Sequence, residues 1–223
     1  MPISSMDELY AYLKRVQESR ERDVRCELSA RLSAQLNDNA IATALVTGLP
    51  LAQGIRPRIL RSRGRGILLT AQLTYRQGVR MLEARQAGGN LLLDASEQAG
   101  LAAATEIAAA AMQIDQEEAR FSYLYAWICG HVRYAHTAPG RKGYERLVGA
   151  ADVLADGRAN CQGFADLLYL LCGLCGIECS VCCGWGKRQL HVWNTVRLQG
   201  EGREIDASKG AREQSLAQGC GAD

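Results

Sequence analysis

From Cys161 the apolar residues Phe164, Leu167, Leu168, Leu171, Leu174 and Cys175 recur along one helical face. Gly176 stops the pattern where a C-terminal glycine belongs. Immediately afterwards, Ile177 to Cys183 and Leu190 to Leu198 alternate as strands do, and Arg203 to Ala207 supplies a third run able to pair back. This helix and the candidate strands that follow it on short connections form the most continuous pattern in the sequence.

The segments upstream are less uniform. Ser5 is placed to cap a helix whose apolar positions are Met6, Leu9, Tyr10, Leu13 and Val16. Asp23 to Leu28 reads as a short strand, with helical patterns following at Ala30–Leu36 and Ala40–Val46. Gly48, Pro50, Gly54 and Pro57 then predict a loop-rich stretch, and Ile67 to Tyr75 a strand. Asp94 with Glu97 forms a capping-box pattern ahead of an alanine-rich helix reaching Met112. Asp115 with Glu118 repeats it before a helix carrying Phe121, Leu124, Tyr125 and Ile128 and ending near Tyr134. The division expected is an N-terminal α/β accessory region over 1–93 and a main domain over 94–223.

Composition narrows the class without naming a function. Hydrophobic residues are 48% of the 223 and charged residues 22%, ordinary values for a globular protein. A net charge of +2 does not mark a nucleic-acid specialist, and no apolar run of about 18 residues predicts a membrane helix. Asp7 and Glu8 stand where a signal peptide would need basic and apolar residues. Nine cysteines, an odd number, do not suit a disulfide scaffold, so reduced thiols and a cytoplasmic location are expected.

The chemistry-bearing order is Cys161 at a helix start, His191 on a strand and Asp206 on the next. The positive end of a helix lowers the pKa of a thiol at its N-terminus and favours the thiolate. A histidine can then shuttle the proton, and a carboxylate can hold its tautomer and orientation. If Gln199-Gly200 forms a two-residue hairpin turn, Arg197 pairs with Gly202 and Trp193 with Asp206. Asp206 then shares a face with His191 and lies diagonal to it, within side-chain reach.

Asp156-Gly-Arg-Ala-Asn-Cys161-Gln-Gly-Phe-Ala165 resembles the nucleophile segment of bacterial transglutaminase-like domains. Leu190-His191-Val-Trp193-Asn194 is similar to their His-x-Trp-Asn strand, and Glu204-Ile-Asp206-Ala to their terminal Asp segment. The helix with Ala126-Trp127-Ile128-Cys129 resembles the one that precedes the nucleophile. The resemblance implies a papain-like/transglutaminase-like α+β fold, with the nucleophile helix packed on an antiparallel sheet. It also implies acyl chemistry through a thioester, with Cys161 as nucleophile, His191 as base and acid, and Asp206 as the orienting carboxylate. The expected substrate is a protein or peptide, hydrolysis being favoured over transamidation because nothing marks an amine-acceptor or calcium site. No cofactor, metal, nucleic-acid or membrane partner is expected. A non-catalytic binding or structural module of the same fold is the alternative. Beyond Asp206 the family often continues with Thr-Trp and a further element, whereas Ser208-Lys-Gly and a polar tail follow here.

Other features have plainer readings. Cys172-x-x-Cys175 and Cys179-x-x-Cys182 have zinc-compatible spacing, yet one pair falls late in a helix and the other in a strand. Core thiols are the simpler reading. Arg56, Arg58, Arg61, Arg63 and Arg65 read as a solvated loop or hairpin edge, since no aromatic residues interleave for base stacking. Asn160 and Gln162 are candidate oxyanion donors beside the Cys161 N–H, and His131 and His136 receive no role.

Overall fold

The computed structural model describes residues 1–62, 64–88, 92–185 and 189–219. The chain divides into two compact units, Met1–Tyr75 and Arg76–Asp223.

In the first unit α1 (Met6–Glu18) is capped by the Ser5 side chain, which accepts from the Glu8 N–H, and it buries Leu9, Leu13 and Val16. It is followed by β1 (Asp23–Leu28), α2 (Ala30–Ser33), α3 (Asp38–Gly48), β2 (Ala52–Ser62) and β3 (Gly66–Tyr75). The three strands form an antiparallel sheet in the order β1-β3-β2. The stretch expected to be a loop up to Pro57 is thus largely strand. An edge strand tolerates proline, and a register shift between Ala52 and Gly54 absorbs the irregularity. Arg56 and Arg58 are exposed on β2, and Arg61 pairs with Asp38 at 2.6 Å. Arg63 of the same run lies outside the described residues.

The second unit opens with α4 (Gln77–Gln86), a helix the sequence patterns did not reveal. Then come α5 (Ala95–Ala111), α6 (Glu117–His131), β4 (Arg133–Tyr134), a 3-10 turn (Glu145–Leu147), α7 (Ala150–Asp156) and β5 (Arg158–Ala159). Next are α8 (Cys161–Leu174), β6 (Cys179–Trp185), β7 (Leu190–Leu198), β8 (Glu201–Ile205) and α9 (Ala207–Gly219). The Asp94–Glu97 capping box is present in full. The second expected box is not: α6 starts after Gln116, and Glu118 instead reaches Arg203 at 2.6 Å.

α8 packs against the antiparallel sheet β6-β7-β8 on one side and against α4, α5 and α7 elsewhere. Phe164, Leu167, Leu168 and Leu171 share a buried core with Val196 and Leu198 of β7. α4 packs on α8 and belongs to the compact unit that begins at Arg76. The expected polar tail is also an element, since α9 buries Ala207 and Ala211 and packs on α6 and α8. No described helix is long and apolar enough to cross a membrane.

Candidate active site

Cys161 is the first residue of α8. Asn160 caps that helix, its Oδ1 accepting from Gln162 N–H at 2.9 Å and Gly163 N–H at 3.3 Å. This cap leaves the N–H of Cys161 untouched. Gly163 is required by close packing: a Cβ there would stand 2.3 Å from the Leu147 carbonyl oxygen and 2.7 Å from Val153 Cγ2. The helix start is therefore pressed against the chain segment before it, which fixes where Cys161 sits.

The hairpin follows the register read from the sequence. Gln199 and Gly200 have φ of 52° and 84°, as a two-residue turn between right-twisted strands requires, and Arg197 pairs with Gly202. That brings Asp206 diagonally beside His191, with Asp206 Oδ2 2.8 Å from His191 Nε2. Asp206 stands where β8 ends and α9 begins, and its other oxygen accepts from Ser208 N–H at 3.1 Å and Ser208 Oγ–H at 2.6 Å. Burial pushes the Asp206 carboxyl up. The Ser208 hydroxyl, His191 and Lys209 together outweigh it and hold the group below its ordinary range.

Asp206 thus holds Nε2 and leaves Nδ1 as the imidazole nitrogen open to a second partner. Cys161 meets the same strand one residue along, at the Val192 backbone N–H. Burial pushes the Cys161 thiol above its ordinary value and the Asp206 charge adds to this, against the N–H groups of Val192 and Gln162 and the Arg76 guanidinium. The depression expected from the helix terminus is therefore outweighed in the resting site, because the sulfur-bearing residue is only 9% exposed.

Of the two candidate oxyanion side chains, Asn160 is engaged as the cap, while Gln162 Nε2 donates to the Tyr144 hydroxyl at 2.6 Å. Sequence patterns missed Tyr144. They also missed Arg76, which is 2% exposed and has Nη2 3.8 Å from Cys183 Sγ, directly across the sheet from Val192. Asp166 was missed as well. It is wholly buried, accepts from Gly78 N–H at 3.0 Å and Ala150 N–H at 2.9 Å, and burial pushes its carboxyl up against the pull of Arg76. A carboxylate within the apolar run of α8 was the available signal for it.

The cysteine cluster is dispersed through core and sheet. Cys172 is buried on α8 and Cys175 at its C-cap, and Cys182 Sγ lies 3.3 Å from Thr195 Oγ1. Among the described residues, no group of three or more His, Cys, Asp or Glu is placed to hold a metal ion. His131 stacks on Trp127 at 4.4 Å and contacts its carbonyl oxygen, a local helix-end arrangement.

Comparisons with known proteins concern the same part of the chain. Residues 103–203 match the model of the transglutaminase-like superfamily, a span that contains Cys161 and His191 and stops short of Asp206. The chain is 28% identical over 104 residues to human kyphoscoliosis peptidase, covering 41% of this chain, and 27% identical over 104 residues to the mouse protein. It spans about a sixth of the length of either (16%). A solved transglutaminase structure aligns with 78% of this chain and 48% of its own, at 14% identity and a TM-score of 0.46. The periplasmic domain of TgpA from Pseudomonas aeruginosa aligns with 70% of this chain and 58% of its own, at 16% identity and a TM-score of 0.41. Over residues 103–203, somewhat less than half of its length, the chain is thus similar to the transglutaminase-like superfamily.

Proposed function

We propose that this protein is a cysteine acyl hydrolase acting on an amide or peptide bond of a protein substrate, with Cys161, His191 and Asp206 as its reacting groups. The observation that carries the reading is the 2.8 Å contact between His191 Nε2 and Asp206. It commits one imidazole nitrogen to a carboxylate and leaves Nδ1 as the proton acceptor, on the strand that meets the Cys161 thiol.

In this reaction the Cys161 proton passes to Nδ1 as Sγ bonds to the substrate carbonyl carbon. The oxyanion takes the Cys161 N–H and a second donor from the Gln162–Tyr144 pair. Nδ1 then returns the proton to the departing nitrogen as the C–N bond breaks, leaving a thioester. Water attacks that thioester with its proton going to Nδ1, and the C–S bond breaks to release acid and thiol. Asp206 stays ionised and stabilises the imidazolium. Transfer to an amine in place of water follows the same steps. Hydrolysis is preferred because the acceptor then needs no site of its own.

Site-resolved alkylation with iodoacetamide across pH 5–9 tests the reading. Coupling to His191 should let Cys161 react below pH 8 faster than the other described thiols, and His191→Ala should slow it at least about tenfold, as loss of the base removes the proton acceptor. A profile identical in wild type and His191→Ala would rule out a working Cys161–His191 pair and favour the non-catalytic module.

A further inference from the structure

A cavity of about 320 Å³ lies against the His191–Asp206 pair, and its other walls include Trp185, Trp193, Glu204 and Lys209. That volume is at the small end of ligand pockets (about 300–1,000 Å³), which suits one side chain better than a length of peptide. Its wall chemistry is specific. Trp185 is 60% exposed, an unusual position for so large an apolar ring. Trp193 is held beside His191, with ring centroids 6.0 Å apart and planes 17° from parallel. Behind it Gly184 makes the space, since a Cβ there would stand 2.9 Å from the indole.

Among the described residues, the charges around the cavity do not balance. Asp206 is matched by His191 at 2.8 Å and by Lys209 at 3.7 Å. The Glu204 side chain has no ion-pair or hydrogen-bond partner among the described residues, although its backbone pairs with Thr195 in the sheet. The cavity therefore offers two indoles and one uncompensated carboxylate, a set that attracts a cation carried on an apolar stem. Position adds the second half of the argument. His191 lines this cavity and must return its proton to the departing nitrogen, so the leaving part of the substrate passes beside the same imidazole.

We infer that the cavity receives the cationic side chain, lysine or arginine, of the residue that follows the scissile bond. The assignment rests on the hydrolase reading above and gives it a substrate class.

Two measurements separate the inference from that reading. First, a mixed peptide library is digested with the full-length protein and the new N-termini are sequenced by mass spectrometry. Lysine and arginine should be enriched about threefold or more in the first position, and Glu204→Gln and Trp185→Ala should each reduce the enrichment. Second, the Cys161→Ala protein is titrated with Arg-Ala-Ala amide and Glu-Ala-Ala amide while tryptophan emission is followed. Only the arginine peptide should perturb emission, and Glu204→Gln should weaken its binding. Cleavage without basic enrichment, or enrichment unchanged in both variants, overturns the subsite and leaves the hydrolase reading standing. Glu204-dependent binding of the arginine peptide without any cleavage supports the subsite and overturns the hydrolase reading. Neither cleavage nor binding overturns both.

Discussion

Asp206 performs two tasks with two oxygens, and this decides what a single substitution does. One oxygen holds His191 Nε2 while the other accepts twice from Ser208 at the start of α9. Asparagine has one acceptor oxygen and one NH₂. If the oxygen stays with Ser208, the NH₂ faces Nε2 and drives the ring proton onto Nδ1, where it blocks transfer from the thiol. Asp206→Asn is therefore expected to fold normally and to lose about 10²–10⁴ in turnover. The same site predicts a pH dependence of stability. Since the folded carboxyl sits below its ordinary range, its contribution is fully present above the unfolded value of about 3.9 and is lost as pH falls through the folded value. Urea melts of wild type and Asp206→Asn should differ by a constant amount from neutral pH down to about pH 5 and converge only in stronger acid. Convergence near pH 6 would contradict the depressed carboxyl.

At the scale of elements, α8 combines the proposed nucleophile in its first turn with a buried polar tie further along. Asp166 receives the N–H groups of Gly78 and Ala150, at the starts of α4 and α7, and so joins three helices at one carboxylate. A Cβ on Gly78 would stand 2.7 Å from Asp166 Oδ1, so this approach depends on glycine. Removing the carboxylate strands two amides and leaves the buried Arg76 charge without its attraction. Asp166→Ala should therefore cost about 3–5 kcal/mol, measured by denaturant unfolding. By contrast, Asp94→Ala removes one half of a capping box on α5 and should cost about 1 kcal/mol. An Asp166→Ala effect as small as the cap's would mean that the three helix starts are held by packing alone.

For the whole molecule, the position of α4 determines which part of the chain can stand alone. α4 belongs to the unit that begins at Arg76, where it packs on α8, and Gln77 Nε2 donates to Asp152 of α7 at 2.9 Å. A chain beginning at Arg76 is expected to fold and to keep a Cys161 that alkylates at the full-length rate. A chain beginning at Asp94 loses α4, exposes the face of α8 that meets Leu82, and leaves Asp166 without the Gly78 amide. It should be insoluble or lack a cooperative thermal transition. A soluble, cooperative 94–223 fragment with normal Cys161 reactivity would show α4 to be dispensable.

Local patterns determined much of this protein. The stripe of α8, the glycine that ends it, the Asp94 box and the Gln199-Gly200 turn each depend on residues close together in sequence, so each was legible there. From that turn the register followed, and with it the meeting of His191 and Asp206. Other features depended on partners distant in the chain. Glu118 left its expected cap for Arg203, Pro57 was accepted because β2 is an edge, and α9 formed because α6 and α8 offered it a surface. The state of the Cys161 thiol belongs to the same class. A helix start favours the thiolate by a local dipole, but its surroundings are assembled from Val192, Arg76 and Asp206, and burial among them sets the opposite sign. Period and turn chemistry are properties of neighbouring residues, whereas desolvation and long-range charge exist only once the chain has packed.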